Sequence, residues 1–296
     1  MRKSVGEYTV SASGTHPLVR KVRRRLRELA DPERAAPMQA YMKSAMPFLG
    51  VSAPAQHALW RELFAAPILP SFDEWQTVVL TLWRDARYRE ERYAALALAD
   101  HRAYRSFRTA AAVPLLEEMI VSGAWWDFVD TLATHHLGDV LQAELSAGRG
   151  AAMRRRLLAW ARGNDIWKRR AAILCQIRFK QRTDVRLLYG CIEPSLTGGS
   201  RGTRPAEAER PRPTRARDIR HDFFIRKAIG WALRQYAWIA PDEVRRYVEA
   251  HRERLSPLSV REALKNTSGT RTRSARPTKP RGAKSERGEV RVQRTG

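Results

Sequence analysis

One short pattern returns along the chain at long, regular steps. R-Y-A-A-L-A-L begins at Arg92, R-R-A-A-I-L-C at Arg169 and R-K-A-I-G-W-A at Arg226. Each block opens with a basic pair or an Arg–aromatic step and runs into a ridge of small apolar residues. The second residues of the blocks are Tyr93, Arg170 and Lys227, and Asp130, followed by T-L-A, stands between the first two. The steps between these four positions are 37, 40 and 57 residues, so the last is one 40-residue period with an insertion. A recurrence of this length marks one supersecondary unit per repeat. A pair of helices cannot bury its own apolar face, so such units must stack on one another.

The surrounding composition says what the unit is. Residues 31–190 and 219–265 are rich in Ala, Leu, Arg and Glu and hold few alternating β-branched runs, so they read as helix after helix. Asp31-Pro32, Leu49-Gly50, Gly163-Asn164 and Ala240-Pro241 supply turn signals between them. From Pro17 to Ala30, Leu18, Val22, Leu26 and Leu29 share one helical face, with Arg20, Lys21, Arg23, Arg24, Arg25 and Arg27 over much of the remainder. A helical period near 40 lies in the HEAT-like range. The expected fold is all-α: HEAT-like helical repeats forming a curved α-solenoid with a concave binding face.

Three segments fall outside this pattern. Residues 1–16 are rich in Ser, Thr and Gly and read as a flexible N-terminus. Residues 195–218 are rich in Gly, Pro and Arg and read as a disordered insertion, and residues 266–296 as a disordered basic tail. The repeat domain is expected over residues 17–265.

Charge narrows the partner. With 55 Lys and Arg against 31 Asp and Glu, the chain carries +24. Such an excess suits a polyanion, because basic side chains release counterions from a phosphate backbone. An acidic membrane surface is the other candidate, and no window of 18 apolar residues exists, so no bilayer-spanning segment is expected. The basic start lacks an apolar segment, so no secretory signal peptide is expected. Cys175 and Cys191 are too few for a disulfide framework or a four-cysteine zinc site, and read as small buried residues in a reducing cytoplasm. His135-His136 lacks further ligands at helical spacing and reads as capping or core. Glu117 and Glu118 read as a solvated face. No Walker A, G-x-G-x-x-G or G-x-S-x-G pattern supplies a phosphate cradle or a nucleophile elbow.

The stretch W-W-D-F-V-D at 125–130 is the candidate for chemistry. Trp126 and Asp130 stand four residues apart and share one helical face. An aromatic face beside a carboxylate attracts a cation through the ring quadrupole and through charge. Trp231 lies in a block that repeats the ridge, so stacking of repeats could bring a second indole to the same surface.

Five stretches extend the reading: P-M-Q-A-Y-M-K-S-A-M-P-F-L-G-V from Pro37, S-G-A-W-W-D-F-V-D from Ser122, N-D-I-W-K-R-R-A-A-I-L-C-Q-I-R-F-K-Q from Asn164, F-F-I-R-K-A-I-G-W-A-L-R-Q-Y-A from Phe223 and L-S-P-L-S-V-R-E-A-L-K from Leu255. In this order and spacing, over about residues 20–265, the chain resembles the AlkD-type DNA alkylation repair proteins, HEAT-like-repeat DNA glycosylases. The resemblance implies a catalytic aspartate at Asp130 and pocket tryptophans at Trp126 and Trp231. It also implies a DNA-contacting arginine at Arg170 and a tyrosine near the lesion at Tyr41. Arg169 and Lys168 would join Arg170 at phosphates around the distorted nucleotide. Asp127 and Trp125 are then structural.

The activity so implied is hydrolysis of the N-glycosidic bond of N3- or N7-alkylated purines in duplex DNA without base flipping. No cofactor and no metal are implied; a monomer in the bacterial cytoplasm, at the nucleoid through its DNA, is expected. Two other classes fit the same charge: a non-catalytic HEAT-like protein that binds damaged or branched DNA, and a helical-repeat scaffold for an acidic protein.

Overall fold

The computed structural model describes residues 15–65, 69–196 and 222–267. Most of the expected flexible N-terminus, of the 195–218 insertion and of the basic tail lies outside the described residues. The edges of these segments belong to the body instead. His16 caps the first helix through its ring nitrogen, Ser195 and Leu196 are buried, and Asn266 donates to the Arg234 carbonyl.

The described residues are helical throughout. In chain order the helices are α1 (Pro17–Glu28), α2 (Pro32–Met42), α3 (Ala53–Leu63), α4 (Phe72–Arg84), α5 (Arg89–Asp100), α6 (Val113–Gly123) and α7 (Trp126–Thr131). There follow α8 (Gly138–Ser146), α9 (Gly150–Arg162), α10 (Ile166–Leu174), α11 (Val185–Ile192), α12 (Phe223–Tyr236), α13 (Pro241–Ala250) and α14 (Pro257–Ala263). Their starts are written in the sequence. Asp31, Ser71, Asp165, Asp184, Asp222 and Ser256 each accept a backbone N–H of the first turn. Pro17, Pro32, Pro241 and Pro257 occupy first-turn positions that need no hydrogen-bonded N–H. All four turn signals stand at helix boundaries or between helices, Pro32 and Pro241 being the first residues of α2 and α13. At Gly50 the backbone is left-handed, with φ 86°, and a Cβ would strike the Asp31 carbonyl.

Packing runs between helices close in sequence: α4 on α5 and α6, α9 on α10 and α11, α10 on α12, α12 on α14. This is the neighbour-on-neighbour arrangement of stacked helical units. One apolar core runs through it from Leu18 to Ala263, with Trp75, Trp83, Phe64 and Phe128 fully buried. In α1 the buried face is Leu18, Val19, Val22 and Leu26, whereas Leu29 is exposed, because the helix ends one residue before it.

The α12–α14 contact fixes the C-terminal end. Gly230 meets α14 so closely that a Cβ there would lie 2.5 Å from Glu262 Cβ and 3.1 Å from the Ser259 carbonyl. Ser259 Oγ donates to the Arg226 carbonyl, and buried Glu262 accepts from Lys265, Lys227 and Arg234. The hydrogen bond from Lys265 first, and then the hydrogen bond and charge of Lys227, outweigh burial and hold the Glu262 carboxyl down at about 2. A Gly→Ala change in a helix interior ordinarily gains up to about 1 kcal/mol. Here overpacking costs about 1–3 kcal/mol and wins. Gly230→Ala is therefore expected to lower the unfolding free energy in urea denaturation; a stabilised variant would show that α14 does not press on α12.

Candidate active site

Helix α7 begins after a sharp entry. Ala124, closing α6, adopts φ 43°, a left-handed conformation uncommon for alanine, and turns the chain so that Trp126 opens α7. From Trp126 to Ser146 the backbone stays helical, but residues Leu132–Leu137 form a π-turn between α7 and α8. Such wide turns need side chains to hold them, and they concentrate at functional sites. Thr134 Oγ1 donates to the Asp130 carbonyl at 2.8 Å. The buried ring of His136 sets its two nitrogens 3.3 Å from the Thr131 carbonyl and 3.1 Å from the Leu96 carbonyl of α5. Gly138 lets the run pass against the Cys175 carbonyl, where a Cβ would stand at 2.6 Å.

Asp130 meets Arg170 of α10 in a two-pronged pair. Arg170 Nε donates to Oδ1 at 2.7 Å and a terminal nitrogen to Oδ2 at 2.8 Å. The remaining terminal nitrogen of Arg170 donates to the Phe224 carbonyl in the first turn of α12. One guanidinium thus joins α7, α10 and α12. Its side chain is 6% exposed against 18% for Asp130, so the carboxylate is the partner with a face to solvent. The Asp130 carboxyl sits above the ordinary carboxylate value: burial pushes it up most, the Arg170 hydrogen bonds and charge pull it back only in part, and the nearby charge of Asp127 adds to the rise.

Trp126 lies one turn before Asp130, half-buried against the core, and Trp231 lies likewise half-buried on α12. Trp231 is seven residues, two turns, past Phe224 and so on the same stripe of the helix that Arg170 grips. Tyr41 is 79% exposed and lines a cleft of about 1040 Å³ with Met38, Met42, Phe48, Trp60 and Thr131, the residue after Asp130. Trp125 is structural: it packs on Trp167 and Phe224 with ring centroids 6.3 and 5.7 Å away.

The basic triplet 168–170, expected at phosphates, also has partners within the protein. Arg170 is committed to Asp130 and Phe224. Arg169 is buried and donates to the Gly163 and Pro194 carbonyls and to Ser195. Lys168 pairs with Glu117 and lies 5.3 Å from the Trp160 ring. The reason is position on the helix: all three face neighbouring helices that offer acceptors. Glu117 and Glu118 are likewise cross-links rather than a solvated face, since Glu118 takes both prongs of Arg84. His135, half-exposed, points to Asp100 at 3.6 Å.

A second Arg–Asp pair escaped the sequence reading. Arg89 of α5 donates to Asp127 at 2.6 Å, to Tyr93 Oη at 3.0 Å and to Ser44 Oγ at 3.1 Å. Tyr93 Oη in turn donates to the other Asp127 oxygen at 2.8 Å, and the guanidinium lies 4.0 Å from the Phe128 ring. Buried Glu90 accepts from the backbone N–H groups of Leu49, Gly50 and Val51, fixing the loop that follows Tyr41. The usable signal was spacing: Arg89 and Asp127 are 38 residues apart, Asp130 and Arg170 are 40.

The described residues form packed helices in which a part-exposed carboxylate is clamped by arginine, with half-buried indoles on its own helix and on α12. A family model described as DNA alkylation repair enzyme matches residues 22–206 and 216–267, and the chain belongs to that family. It is a DNA alkylation repair enzyme by family, and its partner is DNA. The gap in the match falls within the stretch 195–218. Among solved structures, a protein described as a predicted DNA alkylation repair enzyme from Enterococcus faecalis is similar at 27% identity, with a TM-score of 0.61. That likeness covers 80% of this chain and 95% of the other. No curated protein matches.

Removing Arg170 would leave the part-exposed Asp130 charge unbalanced, at up to about 3–5 kcal/mol, the cost for a fully buried pair. Arg170→Gln is expected to lose stability on that scale in chemical denaturation. The folded-state pKa of Asp130 is raised by burial even beside Arg170, and without Arg170 it rises further above its unfolded value. A carboxyl shifted that way favours the fold while protonated and disfavours it once ionised, so the deficit should shrink as the pH falls. A deficit that is the same at pH 4 and pH 8 would contradict the pairing.

Proposed function

We propose that the protein is a DNA glycosylase that hydrolyses the N-glycosidic bond of N3- or N7-alkylated purines in duplex DNA without flipping the base, and so initiates base excision repair. The observation that carries this reading is the part-exposed Asp130 carboxylate clamped by Arg170.

An alkylated purine of this kind is cationic and is already a good leaving group. When the C1′–N bond breaks, its electron pair stays with the purine, which departs neutral, and positive charge develops on the deoxyribose. Asp130, ionised through its two-pronged pair, faces that charge and stabilises the oxocarbenium-like sugar. Water then adds at C1′ and gives up a proton, leaving an abasic site; Asp130 orients that water. Arg170 is a positioning residue here. It fixes both carboxylate oxygens and ties them to α12.

Trp126 and Trp231 supply apolar and quadrupolar surface on which the cationic nucleotide and its sugar pack. Tyr41, exposed on the cleft beside Thr131, stands where it can touch the lesion or its strand. A pure DNA binder gains nothing from an ionised carboxylate facing phosphates.

In Asp130→Asn the amide retains the shape and one acceptor for Arg170. Release of N7-methylguanine from methylated duplex should fall by about 10²–10³ or more, the scale of losing a preorganised electrostatic group. Duplex binding by the same variant should change little. Full activity in Asp130→Asn would refute the mechanism. Tight, salt-dependent DNA binding with no release by the wild type would favour the non-catalytic reading.

A further inference from the structure

The stripe of α12 that carries Phe224 and Trp231 continues for seven more residues to Trp238, in the turn after the helix. There the surroundings change. Phe224 and Trp231 pack against the core, whereas Trp238 is 68% exposed. It overhangs a cavity of about 700 Å³ bounded by the end of α10, the 3₁₀ turn Lys180–Arg182 and the last turn of α12. Arg178, Lys180, Gln181 and Gln235 line this cavity and are exposed.

Among the described residues several cations are paired across helices, as Lys168 is with Glu117, Arg84 with Glu118 and Arg154 with Asp184. Among the described residues Arg178 and Lys180 have no carboxylate partner, and the amides of Gln181 and Gln235 have no hydrogen-bond partner. The Lys180 backbone is left-handed, with φ 55°, and Thr183 Oγ1 donates to its carbonyl at 2.7 Å. The backbone that carries the Lys180 side chain is thereby held in a defined turn.

We propose that the cavity beneath Trp238 binds an unpaired nucleotide of a DNA strand. Its parts match the parts of a nucleotide. The free indole face stacks on a base, which needs no particular sequence. The two amides offer donors and acceptors to a base edge, and that edge is accessible only when the base is unpaired. Arg178 and Lys180 face the adjoining phosphates. The volume is that of a small-ligand site. Two helical turns separate Trp238 from Trp231, about 10 Å along the axis. This is about three nucleotides along a strand, so the site would hold DNA flanking the Asp130 site. The proposal rests on DNA being the partner and not on the chemistry at Asp130.

The test is fluorescence anisotropy of labelled pentathymidylate with the full-length protein, its Trp238→Ala variant and its Arg178→Ala/Lys180→Ala variant. Wild type should bind, Trp238→Ala should weaken binding by about tenfold or more, and the double variant should flatten the salt dependence. Thymidine monophosphate should compete only at far higher concentration. No binding by the wild type, or equal binding by Trp238→Ala, overturns the proposal. Equal competition by the mononucleotide would assign the cavity to a free nucleotide instead of a strand, and overturns it too. Release of N7-methylguanine by the wild type is assayed in parallel. Its failure would sink the glycosylase reading and leave the oligonucleotide result standing.

Discussion

The guanidinium of Arg170 is the constraint on which the site depends. It spends both prongs on Asp130 and its remaining terminal nitrogen on the Phe224 carbonyl, so three helices share one buried cation. Burial alone would neutralise a carboxylate in this setting, because desolvation penalises the charged form. The guanidinium opposes that preference through short, charge-assisted hydrogen bonds, and the carboxyl still sits above the ordinary carboxylate value because burial is the larger effect. It also makes the carboxylate rigid. A preorganised charge stabilises a developing cation at no cost in reorganisation at the moment of reaction.

The rest of the framework holds the two ends of that pair. On the α7 side, the π-turn is pinned by Thr134 and His136, and the Arg89–Asp127–Tyr93 cluster anchors the first turn. On the α12 side, Glu262 gathers Lys227, Arg234 and Lys265, so that α14 braces the helix carrying Trp231. The two Arg–Asp pairs share a design. Each links residues about one repeat apart, so the stacking that closes the core also aligns the charges. Their difference lies in exposure and partners. Asp127 is locked by Arg89 and by the Tyr93 phenol. Asp130 has Arg170 alone on its oxygens and the more exposed position.

Much of this could be read from the sequence. The recurrence at Tyr93, Asp130, Arg170 and Lys227 gave an all-helical chain of stacked units, and capping residues marked the helix starts. Trp126 and Asp130 fell on one face because their spacing is helical. What escaped was the direction of long side chains. Arg169, Arg170 and Lys168 look like a phosphate-binding patch in one dimension. In the fold their donors find Gly163, Pro194, Ser195, Asp130 and Glu117, none of which local periodicity reveals. Asp127 was read as structural, but its partner Arg89 lies in another repeat. Trp238 passed unremarked because an indole after a helical ridge ordinarily belongs to the core.

The central claim is that Asp130 acts as an ionised carboxylate kept so by Arg170. The most direct measurement is the single-turnover rate of N7-methylguanine release across pH, for the wild type and for Arg170→Gln. The wild-type rate should fall on the acid side as Asp130 takes up a proton. In Arg170→Gln, which loses the interaction that pulls the Asp130 carboxyl down, that acid limb should move to higher pH. An acid limb at the same pH in both proteins, or none in the wild type, would contradict the account.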